Sequence, residues 1–299
     1  MGSTLTVVVL GATGRQGGAV ARHLLADGWQ VRALTRRPDS PASRRLSALG
    51  AEVRRVDLNE PDSLRGVFDN AYGTFSVQNP MTSGLEAEVQ QGKNVADAVS
   101  RAGVDHLVYA SAGVGVPGTG VGSWESKRVI QAYMAEIGLR PTVLRPMALM
   151  ELMTDRGLYP AVAMWSLMPK LMGSDRPLPW ICADDIGAIA ARVFASPDQF
   201  AGEEIQLASD VQSVGECTAI WRDVMGSGPR RLPMPIWMFE KFVGNDLTTM
   251  WRWLHDHRFD TDLSRTHQIL PTAATVREWL IRQRTTSTRA RRRRPSHGR

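Results

Sequence analysis

Apolar residues return along the first half of the chain in two alternating rhythms. Short β-branched runs occupy Leu5–Leu10, Gln30–Thr35, Glu52–Val56, Tyr72–Val77, His106–Ala110 and Thr142–Arg145. Between them, apolar positions recur at three- and four-residue spacing near residues 15–27, 41–49, 61–69, 84–103 and 123–138, which predicts amphipathic helices. Strands separated by helical patterns of this length read as successive βαβ units, hence an α/β protein with a parallel sheet covered on both faces. Pro61 and the glycines Gly28, Gly50, Gly103 and Gly138 fall where helices should start and stop.

After Pro146 the alternation weakens. Helical patterns remain around 213–225, 247–257 and 275–283, and one more strand, Glu204–Ala208, is expected to return to the sheet. Trp165, Trp180, Trp221, Trp237, Trp251, Trp253 and Trp279 all lie in this half. They suit either an apolar, aromatic-binding pocket or a plain core, since large apolar side chains dominate interiors. No internal repeat at solenoid period is present.

Composition narrows the partners. The 299 residues are 43% apolar and 22% charged, ordinary for a globular protein. Cys182 and Cys217 are the only cysteines. That excludes a disulfide scaffold and a Cys-based zinc module, and it suits a reducing, cytoplasmic setting. The net charge of +6 is concentrated at the end: residues 284–299 hold seven Arg and no acid, leaving the body close to neutral. A nucleic-acid partner is therefore not expected of the body. The tail, 284–299, is expected to be disordered, either a solvated extension or a salt-sensitive tether to an acidic surface. No apolar run reaches the roughly eighteen residues of a membrane span, so no membrane partner is expected. Leu5–Leu10 lacks a preceding basic segment and reads as a strand rather than a signal peptide.

The sharpest motif is Gly11-Ala12-Thr13-Gly14-Arg15-Gln16-Gly17, between the first strand and first helix. Gly11 permits a tight turn, Gly14 lets backbone approach a pyrophosphate, and Gly17 lets helix and strand pack closely. The helix start then offers free amides and a positive dipole end to phosphate. Context inside a βαβ unit gives the pattern its weight, although glycines chosen for packing alone would look alike. An NAD-binding fold places an acid at the end of the second strand. This chain instead has Thr35-Arg36-Arg37, and no acid between Asp27 and Asp39. A guanidinium there pairs with a 2′-phosphate, so NADP(H) is expected over NAD(H); a solvated arginine pair is the alternative. Asp57 suits contact with an adenine edge, or equally local turn chemistry.

With these residues in view, the chain resembles the NmrA-like family of atypical short-chain dehydrogenases over about residues 5–283. The resemblance rests on Val8 through Gly18, Val31-Arg32-Ala33-Leu34-Thr35-Arg36 and Val56-Asp57-Leu58. It is extended by Ser126-Lys127, Leu144-Arg145-Pro146, Asp184-Asp185-Ile186-Gly187, Gly202 to Ala208, and Met250-Trp251-Arg252-Trp253 through Glu278-Trp279-Leu280. It implies a Rossmann-like, doubly wound parallel sheet with a smaller, partly interleaved C-terminal α/β substrate domain. On that pattern residues 1–150, with a return segment at about 180–210, form the NADP-binding domain. Residues 151–179 and 211–283 form the smaller one. Cofactor contacts implied by match are Gly11, Thr13, Gly14, Arg15 and Gln16 for the phosphates and Arg36 for the 2′-phosphate. Asp57 and Leu58 would flank the adenine, Gln78 and Asn79 line the loop after the fourth strand, and Lys127 reach the nicotinamide ribose.

The chain also departs from the wider superfamily. Four residues before Lys93, Lys127, Lys170 and Lys241 stand Val89, Ser123, Ser166 and Trp237, so Tyr-x-x-x-Lys and its acidic phenol are absent. Ser111 and Ser123 are left as hydroxyls for a substrate oxygen, beside Lys127 as the remaining catalytic candidate; a strand-end serine such as Ser111 also serves as a local cap. The family's Met-Glu-Asn becomes Met150-Glu151-Leu152. Gly113–Gly122 carries five glycines and reads as a mobile lid or a slack connection. Two readings follow. One is an NADPH-dependent reductase of a flat, electron-poor acceptor such as a quinone or conjugated carbonyl, which needs little activation beyond positioning. The other is a catalytically silent NADP(H)-binding redox sensor acting through a protein partner. A homodimer is compatible with either.

Overall fold

The structure, a computed structural model, describes residues 5–155, 157–258 and 261–292, with side chains followed to Thr286. In chain order, β1 (Thr6–Val9) leads into α1 (Arg15–Ala26), β2 (Gln30–Thr35), α2 (Pro41–Ala48) and β3 (Glu52–Arg55). A 3-10 turn (Pro61–Leu64) precedes β4 (Gly73–Ser76), α3 (Pro80–Ser83), α4 (Leu85–Ala102), β5 (His106–Ala110), α5 (Gly122–Glu136) and β6 (Thr142–Pro146). Next come β7 (Ala148–Leu149), a wide π-type helix (Pro160–Leu167), α6 (Met168–Met172), β8 (Pro177–Ile181), α7 (Ala183–Ala195), α8 (Pro197–Phe200) and β9 (Glu204–Leu207). The chain continues through β10 (Asp210–Ser213), α9 (Val214–Met225), α10 (Ile236–Val243), α11 (Asp246–Asp256), α12 (Ser264–Ile269) and α13 (Val276–Arg292).

The architecture is α/β and Rossmann-like. Seven parallel strands run in the order β3-β2-β1-β4-β5-β6-β9. The strand order reverses at β1 and β4, the place where an open parallel sheet presents its binding crevice. Two compact units emerge. The first comprises the chain through Met147, with Ala183–Leu207 and Ser264–Pro271; the second comprises Ala148–Cys182, Ala208–Leu263 and the chain from Thr272.

In the first unit, one sheet face packs Val8, Leu10, Leu34, Tyr109 and Val143 against Val95 and Val99 of α4 and Ile130 and Met134 of α5. Helices α4 and α5 approach closely because Gly92 leaves room for Ile130; a Cβ there would stand 2.6 Å from it. Helix α1 packs on α7 just as tightly: a Cβ on Gly187 would stand 2.6 Å from the Ala19 backbone carbon. At the outer edge of the sheet, β3 exposes Glu52, Arg54 and Arg55. Glu52 pairs there with Arg32 at 2.9 Å and Arg54 at 2.5 Å.

The second unit has its own three-stranded sheet, β10-β8-β7, antiparallel on one side of β8 and parallel on the other. Helix α9 opens with a capping box, Ser213 and Glu216 each bonding the other's backbone N–H. Trp165, Trp180, Trp251 and Trp279 are core residues here, at 3% exposure or less. Most of the C-terminal tryptophans therefore build the interior rather than line a pocket. An open cavity of about 760 Å³ in this unit is bordered by Met172, Pro177, Val211, Leu254 and His257. Among the described residues, no helix is long and apolar enough to cross a membrane.

Several elements differ from the sequence expectation. The helix expected over 61–69 shrinks to Pro61–Leu64, because Gly66 and Asn70 adopt left-handed backbone, φ +71° and +57°. No strand was expected at β8, which contains Pro177 and Pro179. Both precede the stretch paired with β7, Trp180 and Ile181, so one flank needs no donor from them. Residues 264–271 were expected in the smaller domain but join the first unit. There Arg192 donates to the Ile269 carbonyl and Arg265 pairs with Glu203 at 2.5 Å. The first part of the expected disordered tail is helical, since α13 runs to Arg292, and Arg284 donates to the Val224 carbonyl at 2.7 Å. The remainder of that tail, 293–299, lies outside the described residues.

His106 sits buried at the start of β5. Thr142 gives its hydroxyl proton to the Phe200 carbonyl at 2.7 Å, so the 3.2 Å contact with His106 Nε2 must be donated by the histidine. That leaves Nδ1 unprotonated, buried and unpartnered. Burial holds the ring's pKa below its ordinary value.

Two stability predictions follow from this packing. In an ordinary helix interior, Gly→Ala gains about 1 kcal/mol; Gly187→Ala should instead lose about 2 kcal/mol in urea denaturation, because Ala19 backbone occupies the site. A gain would show that α1 and α7 can separate at little cost. His106 binds a proton more readily unfolded than folded, so stability should be complete above pH 6.5 and fall as pH drops through its depressed folded value. A melting series over pH 5–7.5 should therefore be flatter for His106→Phe than for the parent.

Candidate functional site

The glycine turn lies at the C-terminal end of β1. Gly11 takes φ +60° with its Cα against Val77 at the end of β4; a Cβ would approach the Val77 Cγ1 to 2.8 Å. Gly14 N–H closes the turn on the Gly11 carbonyl at 2.8 Å. A Cβ at Gly17 would stand 2.5 Å from the carbonyls of both Leu10 and Gly11, so only glycine lets α1 start this close to β1. No side chain caps that start, and no acid lies in the first turn. Its orphan N–H groups and the positive dipole end thus suit an anion. Gly11, Thr13, Gly14 and Arg15 are exposed around it. Gln16 is half-buried, with an Oε1 that has no partner.

Arg36 and Arg37 are exposed just beyond β2. Their loop is fixed at both ends: Thr35 Oγ1 accepts from Arg37 N–H at 3.2 Å, and Ser43 donates to the Arg37 carbonyl at 2.7 Å. Asp57 uses Oδ1 in turn chemistry, accepting from the Asn59 backbone and side chain at 3.0 Å each. Neighbouring Leu58 offers its carbonyl to Asn94 of α4 at 2.9 Å. Asn79 is exposed and caps α3, accepting from Met81 N–H at 3.0 Å. Gln78 is buried: Nε2 donates to Ser76 at 3.0 Å, while Oε1 is buried with no partner.

Lys127 projects from α5 into the same region and is 6% exposed. Its Nζ donates to the Gln78 carbonyl at 3.1 Å and to Glu88 Oε1 at 2.8 Å. Glu88, on α4, is fully buried; its Oε2 accepts from Ser126 at 2.5 Å. Sequence reasoning missed Glu88 altogether. The signal was there, for Glu88 falls on the same buried stripe of α4 as Val95 and Val99, and an acid on such a stripe requires a partner. Above them the Tyr109 hydroxyl is buried without a hydrogen bond, and its pKa is pushed well up by burial, with the Glu88 charge adding to the effect.

Ser123 lies one helical turn before Lys127 and is half-buried. Ser111 belongs to a different network. Its hydroxyl donates to Gln131 at 3.3 Å and accepts from Arg145 at 3.2 Å. Arg145 is 6% exposed and also donates to Glu204 at 2.6 and 3.0 Å, tying β6 to β9. The lone Ser111 proton is therefore engaged in scaffolding. The glycine-rich loop 113–122 is likewise anchored rather than slack. Glu125 accepts from Thr119 N–H and hydroxyl at 2.8 Å each, Arg128 donates to the Gly115 carbonyl at 2.7 Å, and Trp124 covers Gly113.

The sequence profile of the NmrA-like family matches residues 3–280. An NmrA-like family domain-containing oxidoreductase of Aspergillus hancockii is 31% identical over 257 residues, 79% of this chain and 77% of that protein. Among solved structures, the negative transcriptional regulator NmrA in complex with NADP superimposes with a TM-score of 0.74 at 20% identity, covering 97% of this chain and 98% of that one. An NADPH-dependent quinone oxidoreductase of Escherichia coli, complexed with NADPH, gives 0.69 at 19% identity, covering 93% and 99%. Both structural likenesses are likenesses of fold.

One consequence concerns the scaffold. Removing the carboxylate charge by Glu204→Gln leaves Arg145 buried without its counter-ion, so it should cost about 2 kcal/mol, above the 0–1 kcal/mol of exposed pairs and below that of fully buried ones. Denaturant titration measures this, and a cost within a few tenths of zero would show that solvent reaches the guanidinium.

Proposed function

The chain belongs to the NmrA-like family, and on that premise we propose that it is an NADPH-dependent reductase of electron-poor small molecules such as quinones or conjugated carbonyls. The observation that carries the reading is the uncapped start of α1 inside a turn that only glycine can build, next to two exposed arginines at the end of β2. A diphosphate fits the first and a 2′-phosphate the second. The unpartnered Oε1 atoms of Gln16 and Gln78 are acceptors suited to the polar groups of a dinucleotide. The names of the similar proteins, an oxidoreductase and an NADPH-dependent quinone oxidoreductase, support the same class.

In this reading Gly11, Thr13, Gly14, Arg15 and Gln16 bind the diphosphate, and Arg36 pairs with the 2′-phosphate. The end of β2 itself carries no acid to repel that group. Lys127 spends two of its three protons on Glu88 and Gln78 and keeps one for the nicotinamide ribose. Bound NADPH supplies the hydride. An acceptor that is already electron-poor needs orientation more than protonation, which fits a site without a Tyr-x-x-x-Lys phenol and with the Ser111 proton engaged elsewhere. Solvent then supplies the proton.

That same lack of a side-chain acid favours the second reading, a silent NADP(H) sensor, which the likeness to a negative transcriptional regulator bound to NADP also supports. Purified protein separates the two. Mixed with NADPH and a panel of quinones and enones, it should consume reduced-nicotinamide absorbance, and Gly14→Val should abolish this. Nucleotide binding without turnover on any acceptor would favour the sensor. Arg36→Ala should weaken NADPH about tenfold or more by calorimetry, the loss of one charge-assisted pair, while NADH changes little. Equal losses would remove Arg36 from the 2′-phosphate.

A further inference from the structure

The described core holds one feature that neither the fold nor the phosphate cradle requires: a carboxylate and an ammonium buried together between α4 and α5. Glu88 is 0% exposed and Lys127 6%. A buried pair of this kind is no better for stability than an apolar pair of the same volume, because desolvation offsets the attraction. Its value lies in holding a charged donor at one place. Both Glu88 oxygens are committed, Oε1 to Lys127 at 2.8 Å and Oε2 to Ser126 at 2.5 Å, so the carboxylate cannot swing. Ser126 and Lys127 are consecutive on α5, and the Gln78 carbonyl fixes the ammonium from β4's side at 3.1 Å. Glu88 lies in the first turn of α4, near the positive end of the helix dipole. The pair is neutral overall, so Lys127 offers a directed N–H rather than a net positive field.

We propose that Glu88 is a positioning residue for NADP(H): by clamping the Lys127 ammonium against Gln78, it aims the remaining N–H at the nicotinamide-ribose half of the dinucleotide. The inference rests on the NADP(H) reading of the site, and it assigns Glu88 no contact with the cofactor itself.

The two halves of the dinucleotide provide the test. NADPH and 2′,5′-ADP share the 2′-phosphate and the adenosine, but only NADPH carries the nicotinamide ribose. Calorimetric titration of the full chain should show Glu88→Gln raising the Kd for NADPH about tenfold, a loss typical of one well-placed hydrogen bond to a charged donor, with 2′,5′-ADP within about twofold of the parent. Lys127→Met should give the same selective loss, and Glu88→Gln combined with Lys127→Met should be no worse than Lys127→Met alone. A purely structural Glu88 would move both ligands together, or neither, and that result would overturn the proposal, as would fully additive losses in the double variant. Should Glu88→Gln fail to fold, Glu88→Asp keeps the charge but draws the carboxylate back by one methylene. It should show a smaller loss, again for NADPH alone, and unchanged NADPH binding in that variant would equally overturn the clamp. If the parent protein binds neither ligand, the failure lies with the NADP(H) reading, and the two failures are thereby told apart.

Discussion

The seating of α1 is the constraint from which the rest of the first unit takes its form. On one side the helix starts so close to β1 that Gly17 lies against the carbonyls of Leu10 and Gly11. On the other it meets α7 with Gly187 against the backbone of Ala19. Neither contact tolerates a methyl group without displacement of main chain, the least compliant part of a packed interior. The helix is thus wedged between sheet and neighbour, and it starts where the strand order reverses between β1 and β4. Anion-binding geometry is a by-product of packing here, with no acid in the first turn to oppose it and Arg15 at its start.

Charge is handled differently elsewhere in the same unit. Glu88 with Lys127, and Glu204 with Arg145, are both networks in which a buried cation is held by several acceptors. Around Arg145 the acceptors include Ser111, Gln131 and Glu204, and they join β5, β6, β9 and α5 into one scaffold. Around Lys127 one proton stays uncommitted.

Much of this was legible in the sequence, for identifiable reasons. Strands β1 to β6 are short apolar runs between helical periods, and the parallel sheet followed from that rhythm. The glycine turn was readable because each glycine answers a steric demand. Less was legible where two signals conflict. Pro177 and Pro179 argue against a strand locally, yet β8 forms because part of one flank needs no donors. The segment after Pro61 has helical spacing, but left-handed backbone at Gly66 ends it after one turn. Asp57 and Asn79, expected as cofactor contacts, also spend an oxygen atom each on their own turns, a local role that spacing alone does not single out. Glu88 escaped notice although its periodicity marks it: Lys127, with Ile130 and Met134, lies on the buried face of α5. Two opposite charges on two facing apolar stripes constitute a pairing prediction that needs no structure.

The charged rim formed by β3 bears on how copies of this chain can meet. An outermost strand bearing Glu52, Arg54 and Arg55 in the open is a poor template for a foreign strand, since docking would have to strip water from all three. Sheet extension from that border is thereby discouraged, and the deterrent to edge-to-edge assembly sits in the same short segment that completes one side of the seven-stranded sheet.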